Sequence, residues 1–225
     1  MPSETIQFPI DGGQAPGYLA RPAKEDPKPG LVVIQEWWGL NAHMKDLTNR
    51  LANQGYVALT PDLYHGKVVS EPNDAQKAAM ELDRGRAMAE IDAAVAYLRD
   101  QNYVNPKQIG VIGFCMGGAL ALYAGANNAN VGAVAAFYGG GVPGPEAFAK
   151  SKAAILNIVG DKDRTLPSIQ ALEDGLKAYA MPHELVIYPG AEHAFVNDTR
   201  TEVYKRDAAE DAWKRALAWF SKYLV

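Results

Sequence analysis

The chain holds one cysteine and four histidines in 225 residues. A single cysteine excludes an intramolecular disulfide and makes the cytoplasm the expected setting. With the histidines scattered, no metal-ligand spacing exists, so no metal site is expected. Lysine and arginine form no block and the net charge is −4, which removes the electrostatic footprint of a nucleic-acid binder. No apolar run is long enough to cross a bilayer. Met1 to Asp11 lacks the basic start and apolar core of a secretory signal, and there are no repeats or domain linkers. What is present is an ordinary globular composition, 48% hydrophobic and 21% charged. The expectation is one domain over residues 1–225 with a sizeable core.

Strands and helices alternate along the chain. Thr5–Ile10 and Gly17–Ala20 read as strands around a glycine-rich turn. Pro22–Pro29 reads as a surface loop. Gly30–Gln35 is a continuous apolar run, as expected of a strand buried on both faces. Asn41 should cap a helix carrying Met44, Leu47 and Leu51, with Tyr56–Thr60 the next strand. Periodicity lapses from Leu63 to about Asn73. One long helix is predicted to follow, ending near Arg99, with Ile91, Val95 and Leu98 at helical spacing. Further strands fall at Val131–Phe137, Ala154–Gly160 and Glu184–Tyr188. A helix is expected from about Pro167 to Tyr179, and a last one with Trp213, Leu217, Phe220 and Leu224 along one stripe. This order calls for a parallel sheet with right-handed crossovers, in which the ligand site lies beyond the carboxyl ends of the strands.

The stretch from Ile109 to Leu120 organises the rest. A β-branched run ends at Gly113, followed by Phe114, Cys115, Met116, Gly117 and Gly118, then an Ala/Leu run suited to a helix. This is the G-x-S-x-G nucleophile elbow with sulfur in place of the hydroxyl. The tight turn accounts for Gly113 and Gly117 and lifts the thiol to the N-terminus of a helix, where the dipole favours the thiolate. A buried, inert cysteine is the bland alternative.

Thiolate chemistry on an acyl carbon needs a base, an acid to orient it, and donors for the oxyanion. The chain order nucleophile, acid, histidine is that of α/β-hydrolases. Cys115 supplies the first and His193, the one histidine after a late strand, the last. His43, His65 and His183 read as surface residues. Asp163 and Asp161 both follow the Ala154–Gly160 strand; either could be the acid, and Asp161 could instead brace the turn. The oxyanion donors expected are the amides of Met116 and Trp37. Gly139-x-Gly141-x-x-Gly144 matches a dinucleotide pattern, but Pro143 and Pro145 interrupt it and no long helix begins there. No cofactor is expected.

Together these segments resemble the dienelactone hydrolase family over nearly the whole chain. The resemblance rests on Gln35-Glu36-Trp37-Trp38-Gly39, Pro61-Asp62-Leu63-Tyr64, Gly113-Phe114-Cys115-Met116-Gly117-Gly118, Gly160-Asp161-Lys162-Asp163 and Ala191-Glu192-His193-Ala194-Phe195. It implies an α/β-hydrolase fold, with a mostly parallel twisted sheet, helices on both faces and no separate cap domain. Its register favours Asp163 as the acid. It also gives Glu36 the role of gating Cys115, so that the thiol stays neutral at rest; the alternative is an exposed loop carboxylate. The family's two substrate-binding arginines are missing here: Asn197 occupies one position, and Glu71-Pro72-Asn73 holds no arginine. Arg84, Arg86, Arg164 and Arg200 are candidate substitutes. Trp38, Tyr64, Phe195 and Asn197 are the expected substrate contacts, and with Trp37 and Met116 they suggest an apolar mouth. The expected activity is hydrolysis of small-molecule esters or lactones through a cysteine acyl-enzyme, by a monomer or weak homodimer. A non-catalytic binding protein and a redox-responsive thiol protein on the same fold are the alternatives.

Overall fold

A computed structural model describes residues 2–24 and 26–225. Met1 and Glu25, the latter inside the expected Pro22–Pro29 loop, lie outside the described residues. The described chain is mixed α/β, with eight strands in a mostly parallel sheet and six α-helices. It divides into two compact units, one ending at Gly110 and one running from Val111 to Val225.

In the first unit the strands β1 (Ser3–Ile10), β2 (Gly13–Ala20), β3 (Gly30–Ile34) and β4 (Val57–Pro61) lie in the order β1-β2-β4-β3. β1 and β2 pair antiparallel, as do β2 and β4, whereas β3 and β4 pair parallel. Every residue of β3 and β4 is buried, which is why β3 reads as an unbroken apolar run and β4 as one broken only by Thr60. Helix α1 (Ala42–Asn53) begins where Asn41 Oδ1 accepts the Met44 amide at 3.0 Å, and it buries Met44, Leu47 and Leu51. Thr48 Oγ1 donates to Met44 O at 2.7 Å and meets Thr60 Oγ1 at 2.6 Å, joining α1 to β4 by a satisfied buried pair. His43 is buried rather than on the surface.

The single long helix expected after Asn73 is two: α2 (Pro72–Glu81) and α3 (Arg84–Asp100). Leu82 is extended, and Asp83 Oδ1 accepts the Arg86 amide at 3.1 Å, starting a new helix. The polar stretch Asp83-Arg84-Gly85-Arg86 marks the restart, with the Asp83 carboxylate as its cap.

Most of β5 (Ile109–Phe114) belongs to the second unit, with β6 (Val131–Phe137), β7 (Ala154–Gly160) and β8 (His183–Tyr188), in the order β5-β6-β7-β8. β6, β7 and β8 pair parallel. The helices are α4 (Met116–Asn127), α5 (Leu166–Leu176) and α6 (Arg206–Tyr223). The buried stripe of α6 is Ala209, Ala212, Ala216, Trp219 and Phe220, while Trp213 and Leu217 are half-buried flanks. Small residues on that stripe let the helix backbone approach β6 and β7 closely, and Trp219 Nε1 donates to Ala154 O at 3.2 Å.

Asp83→Ala should lower stability by about 1 kcal/mol, the usual cost of a lost N-cap. For a chain of this size that is a fall of about 2–4 °C in Tm, measurable by thermal melts. An unchanged Tm would mean that the cap is dispensable.

Candidate active site

The turn from β5 into α4 is built from backbone crowding. A Cβ added at Gly113 would lie 2.0 Å from Gly117 O, and one at Gly118 would lie 2.6 Å from Phe137 O. Between them Cys115 adopts φ 56°, ψ −119°, a conformation that costs a non-glycine residue about 1–3 kcal/mol. Two bonds hold it there: Cys115 N donates to Phe137 O at 3.0 Å, and Gly118 N donates to Cys115 O at 3.0 Å. The cysteine is half-exposed, and Met116 is the first residue of the following helix, at its positive end.

Asp163 and His193 are brought together by lacing the loops after β7 and β8. Lys162 N donates to Ala191 O at 3.1 Å, and Asp161 Oδ1 accepts the Gly190 amide at 2.7 Å. A Cβ at Gly160 would stand 2.1 Å from Ala191 O, so the two loops touch backbone to backbone. Asp161 therefore braces the turn, and Asp163 is the carboxylate that reaches the imidazole. Its Oδ2 lies 2.7 Å from His193 Nδ1, while its Oδ1 accepts both the amide and the hydroxyl of Thr165 at 2.8 and 2.9 Å.

Burial alone would disfavour charge on both partners, and it is opposed in both. For Asp163 the His193 and Thr165 hydrogen bonds outweigh burial and hold the carboxyl below its ordinary value. For His193 burial lowers the value, but hydrogen bonds to Asp163 and Cys115, and their negative charge, raise it to about 10. The imidazole is thus charged at neutral pH and bonded to both the acid and the sulfur.

The remaining predicted residues belong to the first unit or to the loop after β8. Glu36 is 2% exposed, not an exposed loop carboxylate. Trp37 and Trp38 are half-buried, with rings 5.2 Å apart and T-shaped. Their loop is stitched to the excursion after β4: Val69 N donates to Trp38 O, and Leu63 N to Gln35 Oε1. Asp62 folds that excursion by accepting the Tyr64 and Gly66 amides. Tyr64 lines a cavity of about 270 Å³ with Leu63, Leu82, Ala87, Arg86 and Glu90, a mixed apolar and charged surrounding. Phe195 is fully buried against Tyr138 and Tyr188; it is a packing residue, not a substrate contact. Asn197 is also buried, and its Oδ1 accepts the Thr199 amide and hydroxyl.

Among the arginine candidates, Arg86 holds the buried Glu90 at 2.9 Å and Arg200 holds Glu202 at 2.8 Å. His65 Nε2 reaches the same Glu90 oxygen at 3.0 Å, and His183 pairs with Glu173. Sequence reasoning missed Thr165 and Tyr138. The Asp-x-Thr spacing, an invitation to local side-chain capping, was the available signal for Thr165. Tyr138, whose ring lies 5.0 Å from that of His193, was signalled by its place directly after β6. Among the described residues no group of three or more His, Cys, Asp or Glu could hold a metal ion, and no helix is long and apolar enough to cross a membrane.

The profile of the Dienelactone hydrolase family matches residues 15–224. Protein usf of Aquifex pyrophilus is 33% identical over 232 residues, which are 99% of this chain and 99% of that protein. A putative carboxymethylenebutenolidase of Methylorubrum extorquens is 34% identical over 98% of this chain and 81% of its own length. The crystal structure of a putative dienelactone hydrolase from Klebsiella pneumoniae superposes with a TM-score of 0.89 at 28% identity, over 99% of both chains.

Because the folded His193 holds its proton more tightly than an unfolded histidine, its stabilising contribution is full below about pH 6.5 and is lost as pH rises toward about 10. Asp163 works oppositely, stabilising above about pH 4 and losing its effect as the medium is acidified. Imidazole ¹⁵N spectra should show His193 doubly protonated through pH 8 and titrating near 10. Asp163→Asn should lower that titration by about one unit or more. A wild-type midpoint near 6.5 would contradict the geometry.

Proposed function

Because the chain belongs to the dienelactone hydrolase family and is thus a hydrolase of ester or lactone bonds, we propose that it acts through a thioester on Cys115. The observation that carries the reading is the imidazole of His193, bonded to Asp163 on one side and to the half-exposed sulfur on the other.

The sulfur attacks the acyl carbon, and the carbonyl electron pair moves onto oxygen, where the Met116 amide receives it. Collapse of the tetrahedral species breaks the carbon–oxygen ester bond, and the leaving alkoxide takes its proton from His193. In a lactone the alcohol stays tethered to the acyl chain. Water then gives a proton to His193 and attacks the thioester; the sulfur departs, and the imidazolium beside it is restored. Asp163 stabilises that charge throughout, and Thr165 keeps the carboxylate in register.

Uncharged esters and lactones are the favoured substrates. Asn197 stands where the resemblance calls for an arginine, and its oxygen is already engaged. Arg86 and Arg200 each hold a carboxylate of the protein itself. At those two arginines an anionic substrate would have to compete with the existing pairs.

Wild-type protein should hydrolyse p-nitrophenyl acetate, and a brief quench should trap one acetyl group on Cys115, seen by intact-mass spectrometry. Cys115→Ala should lower kcat by about a thousandfold or more. Persistent turnover in that variant would sink the reading. Of substrates matched in size, a neutral lactone should show the higher kcat/KM than an anionic one.

A further inference from the structure

Tyr138 sits one residue beyond β6, beside the strand ends that carry Cys115 and Asp163. Its φ is 42°, one of three non-glycine left-handed residues of this unit; the others are Cys115 and Ala194, which follows the histidine. Glycine takes that conformation freely and an aromatic residue does not, yet tyrosine is the residue present, with three glycines directly after it. The backbone has no freedom to relax. Tyr138 N donates to Ile158 O at 2.7 Å, and a Cβ at Gly139 would lie 2.8 Å from Ala119 N, in the first turn of α4.

What the strain secures is the position of the ring. Tyr138 is fully buried, so it touches no substrate. Its ring meets that of His193 at 5.0 Å with an interplanar angle of 61°. Phe114, Phe137 and Phe195 stand around it at 6.4, 6.1 and 6.0 Å, and all three are buried. The bond from Asp163 fixes one imidazole nitrogen but leaves the ring free to pivot about that contact. A wall against the ring removes this pivot.

We propose that Tyr138 is a positioning residue for His193: its aromatic ring, backed by Phe114, Phe137 and Phe195, holds the imidazole so that Asp163 and Cys115 are engaged together. The role is assigned to the ring, whose contact with the imidazole carries it. The kinetic consequence rests on the hydrolase reading given above; the spectroscopic one does not.

The test compares wild type, Tyr138→Leu and Tyr138→Phe by p-nitrophenyl acetate kinetics, thermal melting and imidazole ¹⁵N titration. Tyr138→Leu should lower kcat by about tenfold or more with KM within about twofold. It should also move the His193 titration down from about 10 toward its ordinary range. Tyr138→Phe should restore both. Should the leucine variant fail to fold, Tyr138→Met, which fills irregular space without an aromatic ring, takes its place with the same expectations. A folded leucine or methionine variant with wild-type kcat and an unmoved His193 titration overturns the proposal. So does a kcat loss that follows Tm alone, or a phenylalanine variant as impaired as leucine. If wild type itself hydrolyses no ester, the hydrolase reading fails while the titration still judges Tyr138.

Discussion

Between Gly113 and Gly117 there is no space for a methyl group: a Cβ on the first would stand 2.0 Å from the carbonyl oxygen of the second. That steric limit forces β5 to pass into α4 within one residue. Cys115 takes up the strain of the turn, and its side chain is lifted out of the packed layer. The same closeness explains Gly118, whose Cα faces Phe137 O. A strained nucleophile persists only where its surroundings over-determine it. Here Phe137 O and the first turn of α4 do so, from opposite sides of the peptide.

Charge arrangement follows from a second close approach, between the loops after β7 and β8. Gly160 lets Ala191 come within backbone contact, Asp161 ties down Gly190, and the carboxylate two residues on is left facing His193. The chain thus spends one aspartate on geometry and the next on electrostatics. With Thr165 filling the other oxygen, Asp163 has no incentive to rotate away. Its full negative charge is spent on raising the imidazole. Burial, which works against both ions, makes their mutual attraction stronger once they are paired.

Much of this was legible in the residues. Apolar, β-branched-rich runs marked β3, β5 and β7, because strands buried on both faces have few polar positions; Asn157 of β7 is the exception. The Gly-Phe-Cys-Met-Gly pattern marked the elbow, because few side chains fit such a turn. Other features depend on partners that one sequence does not display. Asp161 and Asp163 are alike in composition, and their partners, the Gly190 amide for one and His193 with Thr165 for the other, separate their roles. The break between α2 and α3 falls at Asp83-Arg84-Gly85-Arg86, and its cap shows only once Asp83 is seen to accept the Arg86 amide. In α6 the conspicuous Trp213 and Leu217 drew attention away from Ala209, Ala212 and Ala216. Hydrophobicity scales rank those alanines low, but close packing needs their small size. His43 and Phe195 were misplaced for a related reason: burial is a property of what covers a residue.

If the charged imidazole holds the sulfur in its reactive state, the reactivity of Cys115 toward a simple electrophile must depend on His193. The most direct measurement is the second-order rate of Cys115 alkylation by iodoacetamide at pH 7, in wild type and in His193→Ala of verified fold. Wild type should be labelled faster by about tenfold or more, since the thiolate is the nucleophile. Equal rates in the two proteins would contradict the coupling of Cys115 to His193.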